Sequence, residues 1–195
     1  MISNEPFAKR SRVTIFNVGG KKLKLKGNHT WRSQPGQSIC VIDRGLVRFE
    51  YPSTWIAEPK DDAVHLHDQT PSVESCDLGV SIFHVPGTHV RELCLDEMLL
   101  AAIIGDRVPY QQSEIHHATN FGTDVSWLEQ RYVDQEYKRD ARFRVALARG
   151  TALCLISMNY WSDRAAGLEP VWDEVLRTLA FGEQIKDPTA GPVVH

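Results

Sequence analysis

Two apolar runs separated by Arg149 and Gly150 dominate the second half of the chain. RFRVALARGTALCLISMNYW, residues 142 to 161, has the pattern of a β-hairpin closed by a short glycine-containing turn. In its second run both parities are apolar. Leu153 and Leu155 point one way and Cys154, Ile156 and Met158 the other, which predicts a strand covered on both faces and central in its sheet. Directly afterwards Ser162 or Asp163 can cap a helix, and Pro170 suits a first helical turn. Val171, Trp172, Val175, Leu176 and Leu179 recur at helical spacing, and Phe181-Gly182 supplies a stop. The expected product is a central hairpin with an amphipathic helix laid across it.

Upstream, VTIFNVGGKKLKLKG, residues 13 to 27, predicts two short strands around Gly19-Gly20, with Lys22, Lys24 and Lys26 on one face; a solvated face or a charged edge that blocks sheet association is the favoured reading, and a basic face for DNA phosphates the other. Residues 28 to 37 read as a loop. Val47 and Phe49 alternate with Arg48 and Glu50 before Tyr51-Pro52 ends a further strand beside Trp55. AVHLHD (63 to 68) and LGVSIFHV (78 to 85) predict two more strands, joined by a polar connection from Gln69 to Asp77 and closed by Pro86-Gly87. Residues 90 to 106 carry Leu95, Met98, Leu99, Ala102 and Ile103 at helical spacing, with Gly105 and Pro109 as the stop. EIHHAT (114 to 119) and VSWLEQRYVD (125 to 134) complete the strands. After Gly182 no periodic apolar face remains, which predicts a frayed tail.

Composition narrows the class of function. With 195 residues, a hydrophobic fraction of 42% and a net charge of -3, the chain suits one globular domain. Nothing in that balance favours nucleic acid or an anionic membrane as partner. The opening MISNEPFAKRSRV carries no signal-peptide core and no segment is long enough to span a bilayer, so a cytoplasmic protein is expected. Cys40, Cys76, Cys94 and Cys154 form no Cys-x-x-Cys pair and read as reduced, mostly buried thiols, Cys94 and Cys154 as filler inside apolar runs.

Candidate chemistry is sparse. His65 and His67 project from one face of a strand and could share a zinc or copper ion, but a third ligand is needed; Asp68 faces away, and His84 or His116 would depend on register. The other reading is two half-exposed histidines without a metal. No Gly-x-Ser-x-Gly elbow or complete phosphate loop is present. Asp96-Glu97 and Asp173-Glu174 diverge on their helices and read as solvated pairs. Trp127 and Tyr132 fall on opposite faces of one strand and are candidate partner anchors, because such rings dominate interface hot spots; core packing is the competing reading of Trp127.

Gly45-Leu46-Val47-Arg48-Phe49-Glu50-Tyr51-Pro52 with Trp55 resembles the opening signature of the PsbP-like superfamily. The final strand after Arg149-Gly150, and the helix carrying Pro170, Trp172, Val175, Leu176 and Leu179, are similar to that family's end. The superfamily includes photosystem II accessory proteins and Ran-binding Mog-type import factors, and bacterial cousins resemble effector-loading chaperones. The resemblance covers roughly residues 40 to 182. It implies an α+β fold, an α/β/α sandwich with a mainly antiparallel β-sheet flanked by helices. The expected divisions are an N-terminal β-hairpin extension over residues 1 to 36, a PsbP-like domain over 37 to 182 and a flexible tail over 183 to 195. The expected function is a non-catalytic accessory module binding a protein or peptide, chaperone-like, with no cofactor. The alternative is a metal-dependent or hydrolytic enzyme using His65 and His67.

Overall fold

The computed structural model describes residues 12–16, 22–60, 63–69, 76–85, 90–103, 108–120 and 122–192. The predicted hairpin is its centre. Strands β10 (Thr123–Val133), β11 (Asp140–Arg149) and β12 (Leu153–Trp161) are joined in antiparallel register, Arg149 opposite Leu153, and β7 (Cys76–Phe83) borders β12 on the other side. The hairpin loop needs its glycine for close approach: a Cβ on Gly150 would collide with the Phe181 ring. β5 (Ile56–Pro59) and β6 (Val64–His67) extend this sheet beyond β7. β8 (Gln111–Gln112) and β9 (His116–Asn120) pair with successive parts of β10, giving the eight-strand sheet.

A second, five-stranded sheet stands where a single sheet was expected. It runs β13 (Ala180–Phe181), β4 (Val47–Pro52), β3 (Gln37–Ile42), β1 (Arg12–Phe16) and β2 (Lys22–Leu23). Among the described residues the β1–β3 pair is parallel and every other pairing is antiparallel. The first hairpin therefore joins the main fold through β1, with Ile15 and Phe16 fully buried. Its Gly19-Gly20 turn lies outside the described residues, as do Pro86-Gly87 and Gly105.

Period-two alternation sorts the large sheet's side chains into two cores. Cys154, Ile156 and Met158 face Phe49, Trp172 and Leu179, contributed by the small sheet, helix α2 (Ala165–Thr178) and the residue after that helix. On the opposite face Leu128, Val145, Leu147 and Leu153 meet Leu95 and Leu99 of helix α1 (Leu95–Ala102). The protein is thus mostly antiparallel sheet with a few helices, α1 on one face and α2 with the small sheet on the other.

Three local expectations are corrected. Neither Ser162 nor Asp163 caps α2: a 3-10 turn over Ser162–Arg164 leads into it with no side-chain cap, which moves Pro170 past the first turn to the sixth α-helical residue. Its missing N–H forgoes a bond to the Ala166 carbonyl. Gly182 is not the helix stop, because Leu179 is already extended and the chain turns directly into β13. Residues 183 to 192 do not fray. Trp31 Nε1 donates to the Pro188 carbonyl at 2.8 Å, Arg44 donates to the Ile185 and Lys186 carbonyls, and Ile185 packs on the outer core of Ile15, Trp31, Ile39 and Val41. The anchor for this tail is a turn in which Asp43 and Arg44 both have positive φ, of 46° and 57°, a conformation that costs energy for non-glycine residues.

Candidate functional site

Burying Val64 and Leu66 of β6 against the main core turns His65 and His67 to the other face of the sheet. On the neighbouring strand β7, Cys76 and Leu78 are inward, so Asp77 and Gly79 share the histidines' face. The antiparallel register sets His67 opposite Asp77 and His65 opposite Gly79. Asp77 Oδ1 lies 2.8 Å from His65 Nδ1, within hydrogen-bond reach, and 3.6 Å from His67 Nδ1. On the far side of its ring, His67 Nε2 lies 3.6 Å from Glu58 Oε2 on β5. The two imidazoles are nearly parallel, 17° apart with centroids separated by 6.0 Å. A Cβ on Gly79 would meet Ser157 Oγ at 3.2 Å and would lie in ordinary contact with the His65 ring.

Asp77 is the third ligand-capable group that His65 and His67 lacked in the sequence. The alternatives lie elsewhere: His84 Nε2 faces Asp43 Oδ2 at 3.3 Å, and His116 stacks on Trp127 at 4.3 Å. Asp68 accepts the Cys76 N–H instead. Reading Asp77 as the end of a polar connection concealed it. Extending the alternation of β7 back by two residues would have placed it on the histidines' face.

Asp77 also forms one wall of a cavity of about 260 Å³ at the end of the large sheet, shared with Tyr132, Asp134, Tyr137, Asn159 and Trp161. The β10–β11 turn builds its rim. Asp134 Oδ1 accepts the backbone N–H groups of Glu136 and Tyr137, fixing the turn that carries the Tyr137 ring. Tyr137 is 65% exposed and meets Trp161 edge-on at 5.5 Å. Tyr132 packs its body against the α1-side core and its hydroxyl bonds Asn159 Oδ1 at 3.1 Å. Arg139 lies over the Trp161 ring and pairs with Asp163.

Trp127 sits on the other face of β10, half-buried between His116 and Trp172. Below it is an ionic cluster that the sequence reading missed. Arg144 Nε and Tyr160 Oη both reach Glu129 Oε2, at 2.8 and 3.3 Å, and Arg142 bridges to Glu169 of α2 at 2.6 Å. Burial alone would raise the Glu129 carboxyl, but hydrogen bonds from Arg144 and Arg131 outweigh it and hold the group below the usual carboxylate range. Burial likewise raises the Tyr160 hydroxyl. The cluster ties α2 to the sheet.

The thiols divide differently from expectation. Burial pushes Cys154 up to about 12 and raises Cys40 too, leaving both unreactive, whereas Cys94 is exposed just before α1 rather than packed in an apolar run. Among the described residues no helix is long and apolar enough to cross a membrane.

Similarity to known proteins follows the fold rather than any chemistry. A protein of Nostoc sp. named "Uncharacterized protein alr1449" is 34% identical over 187 residues, covering 94% of this chain and 97% of its own. The solution structure of cyanobacterial PsbP (CyanoP) from Synechocystis superposes with a TM-score of 0.51 at 19% identity, over 80% of this chain and 98% of that one, so the fold is PsbP-like. A crystal structure from Bacteroides thetaiotaomicron gives a TM-score of 0.55 at 14% identity, over 77% of this chain, which spans 50% of that protein. Residues 38 to 185 match the family described as Alr1449, and with the Nostoc relative this shows that the chain belongs to the Alr1449 family.

Proposed function

We propose that this protein is a non-catalytic binding module of the PsbP-like superfamily, an α/β/α sandwich acting in the cytoplasm, that captures a protein or peptide partner at the end of its large sheet. The observation that carries this reading is the cavity where Tyr132, Tyr137 and Trp161 surround Asp77 and Asp134. Three rings supply contact area at low conformational cost. Tyr137 is exposed on a turn while Tyr132 and Trp161 stand on long paired strands, so the anchor surface is held by a rigid scaffold.

The test is affinity capture from lysate with the wild type and with Tyr137→Ala and Trp161→Ala. A stoichiometric partner retained by the wild type and lost by both variants, each folded by circular dichroism, is the expected result. Unchanged capture across Tyr132→Ala, Tyr137→Ala, Trp161→Ala and Trp127→Ala would remove the reading.

A further inference from the structure

We propose that His65, His67 and Asp77 bind a divalent first-row transition-metal ion. Ligand-capable atoms of the three residues all lie within 4.8 Å of one another. Two donors each about 2.1 Å from a common ion at a tetrahedral angle stand about 3.4 Å apart, and about 3.0 Å at a right angle. The separations from Asp77 Oδ1, 2.8 Å to His65 Nδ1 and 3.6 Å to His67 Nδ1, bracket those values. The longer one is outside hydrogen-bond range, yet an ion would bridge it.

The surroundings fit the same reading. A metal-bound imidazole characteristically directs its other nitrogen to a carboxylate, which fixes the ring and raises its basicity. Glu58 stands on that side of the ring, its Oε2 3.6 Å from His67 Nε2, just beyond hydrogen-bond range. His67 is held with its side chain 5% exposed, while His65 and Asp77, at 20% and 35%, leave a route for the ion to enter. Two nitrogens and one carboxylate suit zinc, cobalt, nickel or ferrous iron. Calcium and magnesium, which prefer oxygen ligands, and copper(I), which prefers sulfur, fit poorly. Three protein ligands leave at least one coordination position for another donor, and Asp77 faces the aromatic cavity.

Titration calorimetry of the full chain with Zn²⁺ and Co²⁺ tests the site without any partner, so its failure is distinct from failure of the capture experiment. One equivalent of each ion is expected, with no binding of Ca²⁺ or Mg²⁺. Asp77→Asn and His65→Gln should each weaken binding at least about tenfold, the loss produced even by groups one step removed from an ion. A second measurement needs no variant: Co²⁺ should shift the ring-proton resonances of His65 and His67 selectively among the eight histidines. Absence of Zn²⁺ and Co²⁺ binding, full binding by both variants, or unmoved His65 and His67 resonances would each overturn the proposal.

Discussion

Arg144 Nε stands 2.8 Å from Glu129 Oε2 in a pair whose residues are only 8% and 9% exposed. Removing Glu129 takes from Arg144 its shortest carboxylate contact and from Tyr160 its acceptor, and leaves Glu169 as the remaining partner of Arg142 and Arg144. Glu129→Ala should therefore cost about 1–3 kcal/mol. Glu174→Ala, which breaks the more exposed i,i+3 pair with Arg177, should cost within about 0.5 kcal/mol. Urea unfolding of both variants checks this, and equal small losses would mean that the cluster is solvated.

The same carboxyl gives a pH dependence with a fixed sign. Its folded pKa is depressed, so its contribution is present above the unfolded carboxylate range near pH 4.3 and is lost as pH falls through the lower folded value. Asp124, held low by a hydrogen bond from Arg149, acts in the same direction. Urea midpoints should fall from pH 5 towards pH 3, and Glu129→Gln should flatten that slope. An equally steep slope in the variant would assign the effect to other groups.

Two glycines make opposite predictions. Gly150→Ala drives a methyl against the Phe181 ring and should destabilise by about 1–3 kcal/mol. Gly167 lies in α2 with nothing within 4 Å of its notional Cβ, so Gly167→Ala should stabilise by about 0.5–1 kcal/mol. Thermal unfolding of the pair checks both signs.

Truncation after Gly182 should lower the melting temperature and move Trp31 fluorescence to longer wavelength. It removes Ile185 and the Pro188 carbonyl from a ring that is 3% exposed. An unshifted spectrum would show that the tail does not cover Trp31.

What the sequence disclosed was local. Two apolar parities in Leu153 to Met158 placed β12 inside a sheet, and the spacing of Trp172, Val175 and Leu176 marked the buried stripe of α2, because periodicity records which side of one element meets the core. Relations between elements left no such trace. The parallel β1–β3 pair looks, residue by residue, like any short strand pair. Asp77 joins His65 and His67 only once β6 and β7 are in register. The tail lacks apolar period because it is held largely through backbone carbonyls, which every residue type carries.

The clasp between those carbonyls and Trp31 has a consequence for the order of events in time. Trp31 Nε1 and the Pro188 carbonyl are 157 residues apart in the chain, and Lys26 and Thr30 also donate backbone N–H groups to Thr189 and Ala190. During synthesis the outer face of the small sheet stays uncovered until almost the last residue described has left the ribosome. A contact of such long range is slow to form, and until it does Trp31, Ile39 and Val41 offer an apolar surface to a chaperone or to another nascent chain.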